Sequence, residues 1–177
     1  YARAKVDPGT VDYVEAQGTG TNGGDPVECT ALGAVMGTAR RDGRKLLIGS
    51  GKTNIGHLES AAGMAGLLKV VLALQHREVP ATLNFDTPNP KIHFDELNLS
   101  VVANHIELRP RARRLVMGVN SFGFGGTNAH VVVQEYRPPA VAPAPADEAQ
   151  LLLISARGEG GLKELARRYE RLLRQPG

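Results

Sequence analysis

The chain has 177 residues, 42% apolar and 22% charged, enough for one ordinary domain and far from the composition of a disordered or collagen-like segment. With 4 Phe, 4 Tyr and no Trp, a base-stacking nucleic-acid surface or a lectin-like aromatic platform is excluded. The net charge of +3 is local to Arg157–Arg174, where six basic residues face Glu159, Glu164 and Glu170, so nucleic-acid binding gets no support from charge.

Residues 11–16 have the pattern of a short strand. A polar, glycine-rich run from Gln17 to Gly24 follows. Asp25 and Pro26 predict an N-cap with proline in the first turn, opening a helix that runs to about Gly37. Val27, Ala31 and Val35 are expected on its buried face. Arg40 to Arg44 is a basic turn, and Leu46 to Ser50 a short apolar strand. A second helix is expected from His57 or Leu58 to about His76. It is apolar on nearly every side, so it should be enclosed by other elements. Its apolar run, Ala61 to Leu74, carries Lys69 and is too short and too charged to span a bilayer. Gly56, Gly63 and Gly66 near its start cost helix propensity and imply close approach of another backbone.

Residues 77–98, with Pro80, Pro88 and Pro90, predict an irregular excursion. Leu99 to Ala103 is a strand candidate. Arg109 to Arg114 is basic and broken by proline. Leu115 to Val119 and Ala129 to Glu135 read as paired strands, joined by a connection too glycine-rich to be only a hairpin turn. After Tyr136, prolines interleaved with alanine predict a semi-rigid linker. Leu151 to Ser155 reads as a strand. Leu162, Leu165, Ala166, Tyr169, Leu172 and Leu173 mark one face of an amphipathic helix. The single cysteine, Cys29, cannot form an internal disulfide and fits a reducing, cytoplasmic setting. The chain opens without Met or an apolar leader and reads as a piece of a longer polypeptide.

Three clusters could carry chemistry. Glu15 to Thr21 is a polar loop between strand and helix, a frequent ligand position, but it has neither Walker A nor dinucleotide spacing. Gly51 to Glu59 leaves a buried strand and enters the enclosed helix. There the dipole at a helix start favours a neutral His57 imidazole, which can donate N–H to a developing oxyanion. The plain alternatives are a histidine cap and a Lys52–Glu59 ion pair. Asn120 to Asn128 either brings backbone N–H groups to a ligand, with Phe122 and Phe124 along an acyl channel, or is a tight hairpin with two core phenylalanines.

Taken in this order, the three clusters resemble the C-terminal half of a β-ketoacyl synthase (ketosynthase) of a modular type I polyketide synthase. The resemblance covers roughly residues 8–137. The family pattern Glu-Ala-His-Gly-Thr-Gly-Thr, then Gly-Asp-Pro-Val-Glu, is met by Glu15 to Thr21 with Gln17 as the departure, and by Gly24 to Glu28. Lys52 to His57 and Asn120 to His130 match without change. The resemblance implies an α/β, thiolase-like layered fold, of which only the second half is present, in the order strand-helix-strand-helix-strand-strand-strand. Residues 1–136 would be that half, 137–149 a Pro/Ala-rich linker, and 150–177 the beginning of a linker or adaptor domain toward an acyltransferase.

The reaction it implies is acyl transfer and decarboxylative Claisen condensation on carrier-protein thioesters. The nucleophilic cysteine lies outside this chain, and Cys29 reads as a core residue. His57 matches the histidine that holds the extender carbonyl, and Lys52 the lysine that supports the site electrostatically. Thr19 and Thr21 match positions that bond the phosphopantetheine arm. Asn120, Gly123 and Phe124 belong to the same binding region, Phe124 as the gate whose N–H completes an oxyanion hole. Neither a metal nor a directly bound cofactor is implied, since the arm arrives on an acyl carrier protein. The N-terminal half of the ketosynthase, the carrier protein and a second copy in a homodimer are the implied partners; nucleic acid and membrane are not. Gln17 keeps an N–H donor but has no basic nitrogen. It marks either a non-elongating ketosynthase or an engineered trap. Related condensing enzymes pair histidine with asparagine, so an amide can also serve. The competing reading is a catalytically inactive structural or carrier-docking module. A thiolase, which lacks the second and third motifs, is a distant third.

Overall fold

The computed structural model describes residues 1–109, 112–139 and 151–175. Two compact units divide the chain, Tyr1–Arg137 and Pro138–Gly177.

In the first unit, strands β1 (Tyr13–Glu15), β2 (Leu46–Gly49), β4 (Leu99–Val101), β6 (Val116–Phe122) and β7 (Asn128–Gln134) form one sheet in the order β4-β2-β1-β6-β7. Every pairing is parallel except β6 with β7. A two-stranded antiparallel ribbon pairs β3 (Glu78–Val79) with β5 (Ile106–Glu107). The ribbon strands are two residues each, too short to leave an alternating signal in the sequence.

Alternation along the strands sends successive side chains to opposite faces. Val11, Val14, Ile48 and Val116 pack with Cys29, Leu32 and Met36 of one helical layer. Tyr13, Met117 and Val119 pack with Val70, Ala73 and Leu74 of the other. The central strands are therefore covered on both sides, which accounts for their continuous apolar runs.

Helix α1 spans Gly24–Leu32 and continues as a π-helical turn, Gly33–Gly37. Its N-cap is Gly23, so Asp25 lies inside the first turn instead of capping it. The Thr21 hydroxyl accepts the Gly24 N–H, and the Asp25 carboxylate reaches back to the Gly20 N–H. The buried face also differs from the expected one. Glu28, Cys29, Leu32 and Met36 face the sheet, while Val27 and Val35 are exposed. The displacement follows from Glu28, whose carboxylate is claimed by inward-facing donors and fixes the rotation of the helix. Arg40 turns its guanidinium inward, donating from Nη1 to the Val11 carbonyl and from Nε to the Arg44 carbonyl.

The enclosed helix starts later than the sequence suggests. A short α2 (Lys52–Ile55) comes first, then a 3-10 turn (Glu59–Ala61), then α3 (Ala62–His76). His57 thus lies between helices. Close approach explains two glycines in α3. A Cβ on Gly63 would sit 2.7 Å from Ser121 Oγ, and one on Gly66 would sit 3.1 Å from Glu15 Cγ. Only one side of α3 is covered within this unit. Ala62, Gly66, Val70, Ala73 and Leu74 are buried, whereas Met64, Leu68 and Leu72 are more than half exposed.

The connection between β6 and β7 is a hairpin after all. The strands continue through Phe122 and Asn128, and the Gly123 N–H closes the turn on the Thr127 carbonyl. A tight hairpin is one of the two readings the sequence offers, but its phenylalanines are not core residues, since Phe122 and Phe124 are both exposed.

In the second unit, α4 (Glu159–Leu173) forms where its apolar periodicity predicts, and Lys163–Glu159 and Arg168–Glu164 are i, i+4 ion pairs along it. Residues 151–155 form no strand: no described segment pairs with them. Most of the expected Pro/Ala linker, residues 140–149, lies outside the described residues.

Candidate active site

The three motif loops leave neighbouring strands of the sheet. Glu15 ends β1, Gly49 ends β2, and Phe122 ends β6. Because these strands are parallel and adjacent, their C-terminal ends deliver the loops to one edge of the molecule. This is where open parallel sheets place ligands.

Glu28 organises the first loop. Its Oε1 accepts the Gln17 N–H at 2.8 Å and its Oε2 the Gly18 N–H at 3.0 Å. Asn120 Nδ2 also donates to Oε1, at 2.7 Å. Gly18 has φ +43°, and a Cβ there would lie 2.8 Å from Ser50 Cβ, so the loop needs glycine at that turn.

Asn120 is buried, with both ends of its amide engaged inside the protein. Since Nδ2 must face the carboxylate, Oδ1 faces His130 Nδ1, 2.6 Å away. That nitrogen therefore carries the proton, and Nε2 accepts from the Tyr1 hydroxyl at 2.7 Å. Burial holds the His130 imidazole below its usual pKa and pushes the Tyr1 phenol up to about 12. Asn120 is thus a positioning residue for the first loop, and it offers this edge no free amide group.

Gln17 and His57 are oriented by the same device. Gln17 Oε1 accepts the Phe122 N–H at 3.2 Å, which leaves its NH2 group pointing away from that anchor. His57 Nδ1 accepts the Glu59 N–H at 3.0 Å, which puts the proton of the neutral ring on Nε2. Each side chain uses its inner atom as an acceptor and presents an N–H donor. The histidine does cap a turn, but from the loop before it.

Lys52 lines a cavity of about 210 Å³ with Glu15, Ile55, Leu58, Gly66 and Lys69. Burial lowers the pKa of its ammonium, while Glu15 and Glu28 oppose that shift. It does not pair with Glu59. The buried carboxylate nearby, Glu15, pairs instead with Lys69 at 2.6 Å. Glu15 also accepts the Tyr13 hydroxyl at 2.6 Å and the Gly51 N–H at 2.5 Å. In the sequence Lys69 is only a charge interrupting an apolar helix. Its spacing gives no hint of β1, because the contact joins residues 54 apart.

Thr19 and Thr21 are exposed along the first loop, and the Asp25 carboxylate folds back on the backbone of residues 19–21. Burial raises the Asp25 pKa against those backbone hydrogen bonds. Gly123 is held in the hairpin turn, and Phe124 at its tip is fully exposed. Cys29 is buried, and burial together with Glu28 and Asp25 pushes its thiol up to about 12, where it is a poor nucleophile. Among the described residues no group of three His, Cys, Asp or Glu side chains could hold a metal ion, and no helix is long and apolar enough to cross a membrane.

Comparison with known families defines the class of protein. The family described as "Beta-ketoacyl synthase, C-terminal domain" matches residues 1–86, and "Ketoacyl-synthetase C-terminal extension" matches residues 88–176, across the boundary between the two units. The chain belongs to the β-ketoacyl synthase family, as the C-terminal part of a polyketide synthase ketosynthase with the extension that follows it. It is 54% identical over 153 residues to polyketide synthase GfsA of Streptomyces halstedii, a match covering 83% of this chain and 2% of that protein. It is 47% identical over 167 residues to erythronolide synthase EryA3 of Saccharopolyspora erythraea, covering 93% of this chain and 5% of that one. Among solved structures, the oxazolomycin ketosynthase domain OzmH KS7 of Streptomyces albus JA3453 is 37% identical with a TM-score of 0.75, covering 98% of this chain and 31% of that one. The ketosynthase from module 6 of the bacillaene synthase of Bacillus subtilis 168 is likewise 37% identical, with a TM-score of 0.73, covering 98% of this chain and 29% of that one. The chain therefore spans less than a tenth of these curated relatives and under a third of these solved ketosynthase chains. The thiolase-like fold implied by the motifs is the fold of these neighbours.

Proposed function

We propose that this chain supplies the extender-binding half of a ketosynthase site that accepts and passes on acyl chains without elongating them. The reading is supported by two separate hydrogen bonds, Phe122 N–H to Gln17 Oε1 and Glu59 N–H to His57 Nδ1, each of which leaves an N–H donor on the side chain. In the elongation reaction of the family, which Gln17 would slow here, a malonyl-type thioester on a carrier protein would present its carbonyl to both donors. Carbon dioxide leaves, and the electron pair of the broken C–C bond becomes an enolate whose oxygen His57 Nε2–H and the Gln17 NH2 group share. The enolate carbon then attacks an acyl thioester on the cysteine of the N-terminal half, and the thiolate departs. The Phe124 N–H would help hold the oxyanion of that second step, and the Lys52 ammonium stabilises negative charge across the site. Thr19 and Thr21 would bond the phosphopantetheine arm.

Gln17 weakens the first step alone. An amide donates a weaker hydrogen bond than an imidazole that can become a cation, and loss of one oxyanion donor costs about 3–4 kcal/mol. Acyl loading needs no donor at position 17. The test uses the intact ketosynthase with labelled acyl thioester and malonyl-carrier protein. Acyl-enzyme should form with little β-ketoacyl product, and Gln17→His should raise product formation at least tenfold, about 1.4 kcal/mol of barrier. Equal condensation rates for the parent and Gln17→His would overturn the non-elongating reading.

A further inference from the structure

The Tyr13–Glu15–Lys69 cluster lies directly behind Lys52, and no part of the reaction above uses it. Glu15 is almost fully buried, and each of its carboxylate oxygens is engaged. Oε2 takes Lys69 Nζ and the Tyr13 hydroxyl, and Oε1 takes the Gly51 N–H immediately before Lys52. Lys69 Nζ also donates to the Tyr13 hydroxyl at 2.9 Å. Lys69 reaches Glu15 from α3, while Lys52 approaches the same cavity from α2. Two ammonium groups therefore share one buried carboxylate, and only Lys69 is bonded to it.

We infer that Lys69 is a positioning residue that occupies Glu15 and thereby keeps the Lys52 ammonium directed into the cavity. The inference rests on the ketosynthase reading only for what that ammonium then does. Without Lys69, Glu15 is a buried carboxylate lacking a counter-ion in a cavity that a second lysine, Lys52, also lines. Leaving such a charge unpaired is strongly unfavourable, so Lys52 is drawn onto it. The charged and titratable groups around Lys52 are Glu15 and Tyr13 on β1, Glu28 on α1 and Lys69 on α3. Glu28 keeps its three donors, Gln17, Gly18 and Asn120, whereas Glu15 loses its cationic partner with Lys69, which makes Glu15 the acceptor that Lys52 would find.

The experiment reads Lys52 directly, without catalysis. The intact ketosynthase is treated with cyanate at pH 8, and carbamylation of Lys52 is followed by peptide mass spectrometry, with exposed Lys91 as the internal reference. In Lys69→Gln, Lys52 should react about tenfold more slowly relative to Lys91, the change in neutral-amine fraction that one pKa unit makes. Lys69→Arg should keep the parent rate, and adding Glu15→Gln to Lys69→Gln should abolish the slowing. An unchanged rate in Lys69→Gln, or slowing that persists in the double variant, overturns the inference. Should Lys69→Gln fail to fold, Glu15→Gln alone decides: faster labelling of Lys52 supports the inference, and an unchanged or slower rate overturns it. Failure of the ketosynthase reading would appear instead in the condensation assay and would leave these labelling rates untouched.

Discussion

Removing one acceptor from Glu28 tests how the first loop is held. Three donors converge on this carboxylate: the backbone N–H groups of Gln17 and Gly18, and the Asn120 amide. Glu28→Gln is nearly isosteric. Its oxygen will keep the side with two donors, which turns the new NH2 group toward the Gly18 N–H. One charge-assisted hydrogen bond is then lost and two donors face each other. A hydrogen bond to a charged group contributes about 1.5–3 kcal/mol, so loop opening should become easier by about 2–3 kcal/mol. At 1.36 kcal/mol per decade, amide exchange within the loop should accelerate about 30- to 150-fold. Hydrogen–deuterium exchange of the intact ketosynthase, followed on peptides spanning residues 15–21, measures this. Exchange in the β2 segment should stay unchanged, because Leu46–Gly49 makes no contact with Glu28 among these hydrogen bonds. Unaltered exchange at Gln17 and Gly18 in Glu28→Gln would refute the reasoning that Glu28 holds the loop.

Residues 1–137 expressed alone should give aggregate or a molten species, because Ile55, Met64, Leu68 and Leu72 leave a bare apolar face along α2 and α3; a monomer with sharp, cooperative thermal unfolding would contradict this. The Glu135 carboxyl is held below its ordinary pKa, first by the Arg137 hydrogen bond, with the Leu115 N–H and Arg77 adding to it against desolvation. A depressed carboxylate pKa contributes stability that is present above the unfolded value, about 4.3, and is lost as pH falls through the folded value. Glu135→Gln should therefore unfold more easily at pH 7 and show a shallower loss of stability below pH 4, as read by denaturant midpoints across pH; parallel curves for the two proteins would contradict it.

Much of the fold is legible in the sequence because its signals are local. The apolar runs of β1, β2 and β6, the punctuation by Gly49 and Gly51, and the period of α4 all lie within short windows. The differences come from long-range chemistry. The rotation of α1 is set by Glu28 bonding to Asn120, 92 residues away, and no helical period in the sequence reports that. Propensity suggests a helix start near His57, yet His57 Nδ1 accepts the Glu59 N–H and the regular helix begins only at Ala62. Leu151–Ser155 has the composition of a strand, but composition supplies no pairing partner. The motif residues His57, Gln17 and Lys52 stand out in the sequence. Lys69 and Tyr13 do not, because their significance is a contact across elements.

The anchoring of Gln17 bears on what a Gln17→His change would alter. Gln17 meets the Phe122 N–H with Oε1 and leaves its NH2 group as the donor. Glu28, Asn120 and His130 support the loop through its backbone and do not touch the Gln17 side chain. These bonds hold the loop through its backbone, and the side chain at position 17 sets which N–H donor the loop presents. An imidazole and an amide each offer an N–H to a developing oxyanion and differ in how strongly they donate. That separation is why Gln17→His should change the condensation rate without rebuilding the loop, and why exchange protection at residues 17 and 18 should be the same in the parent and the variant.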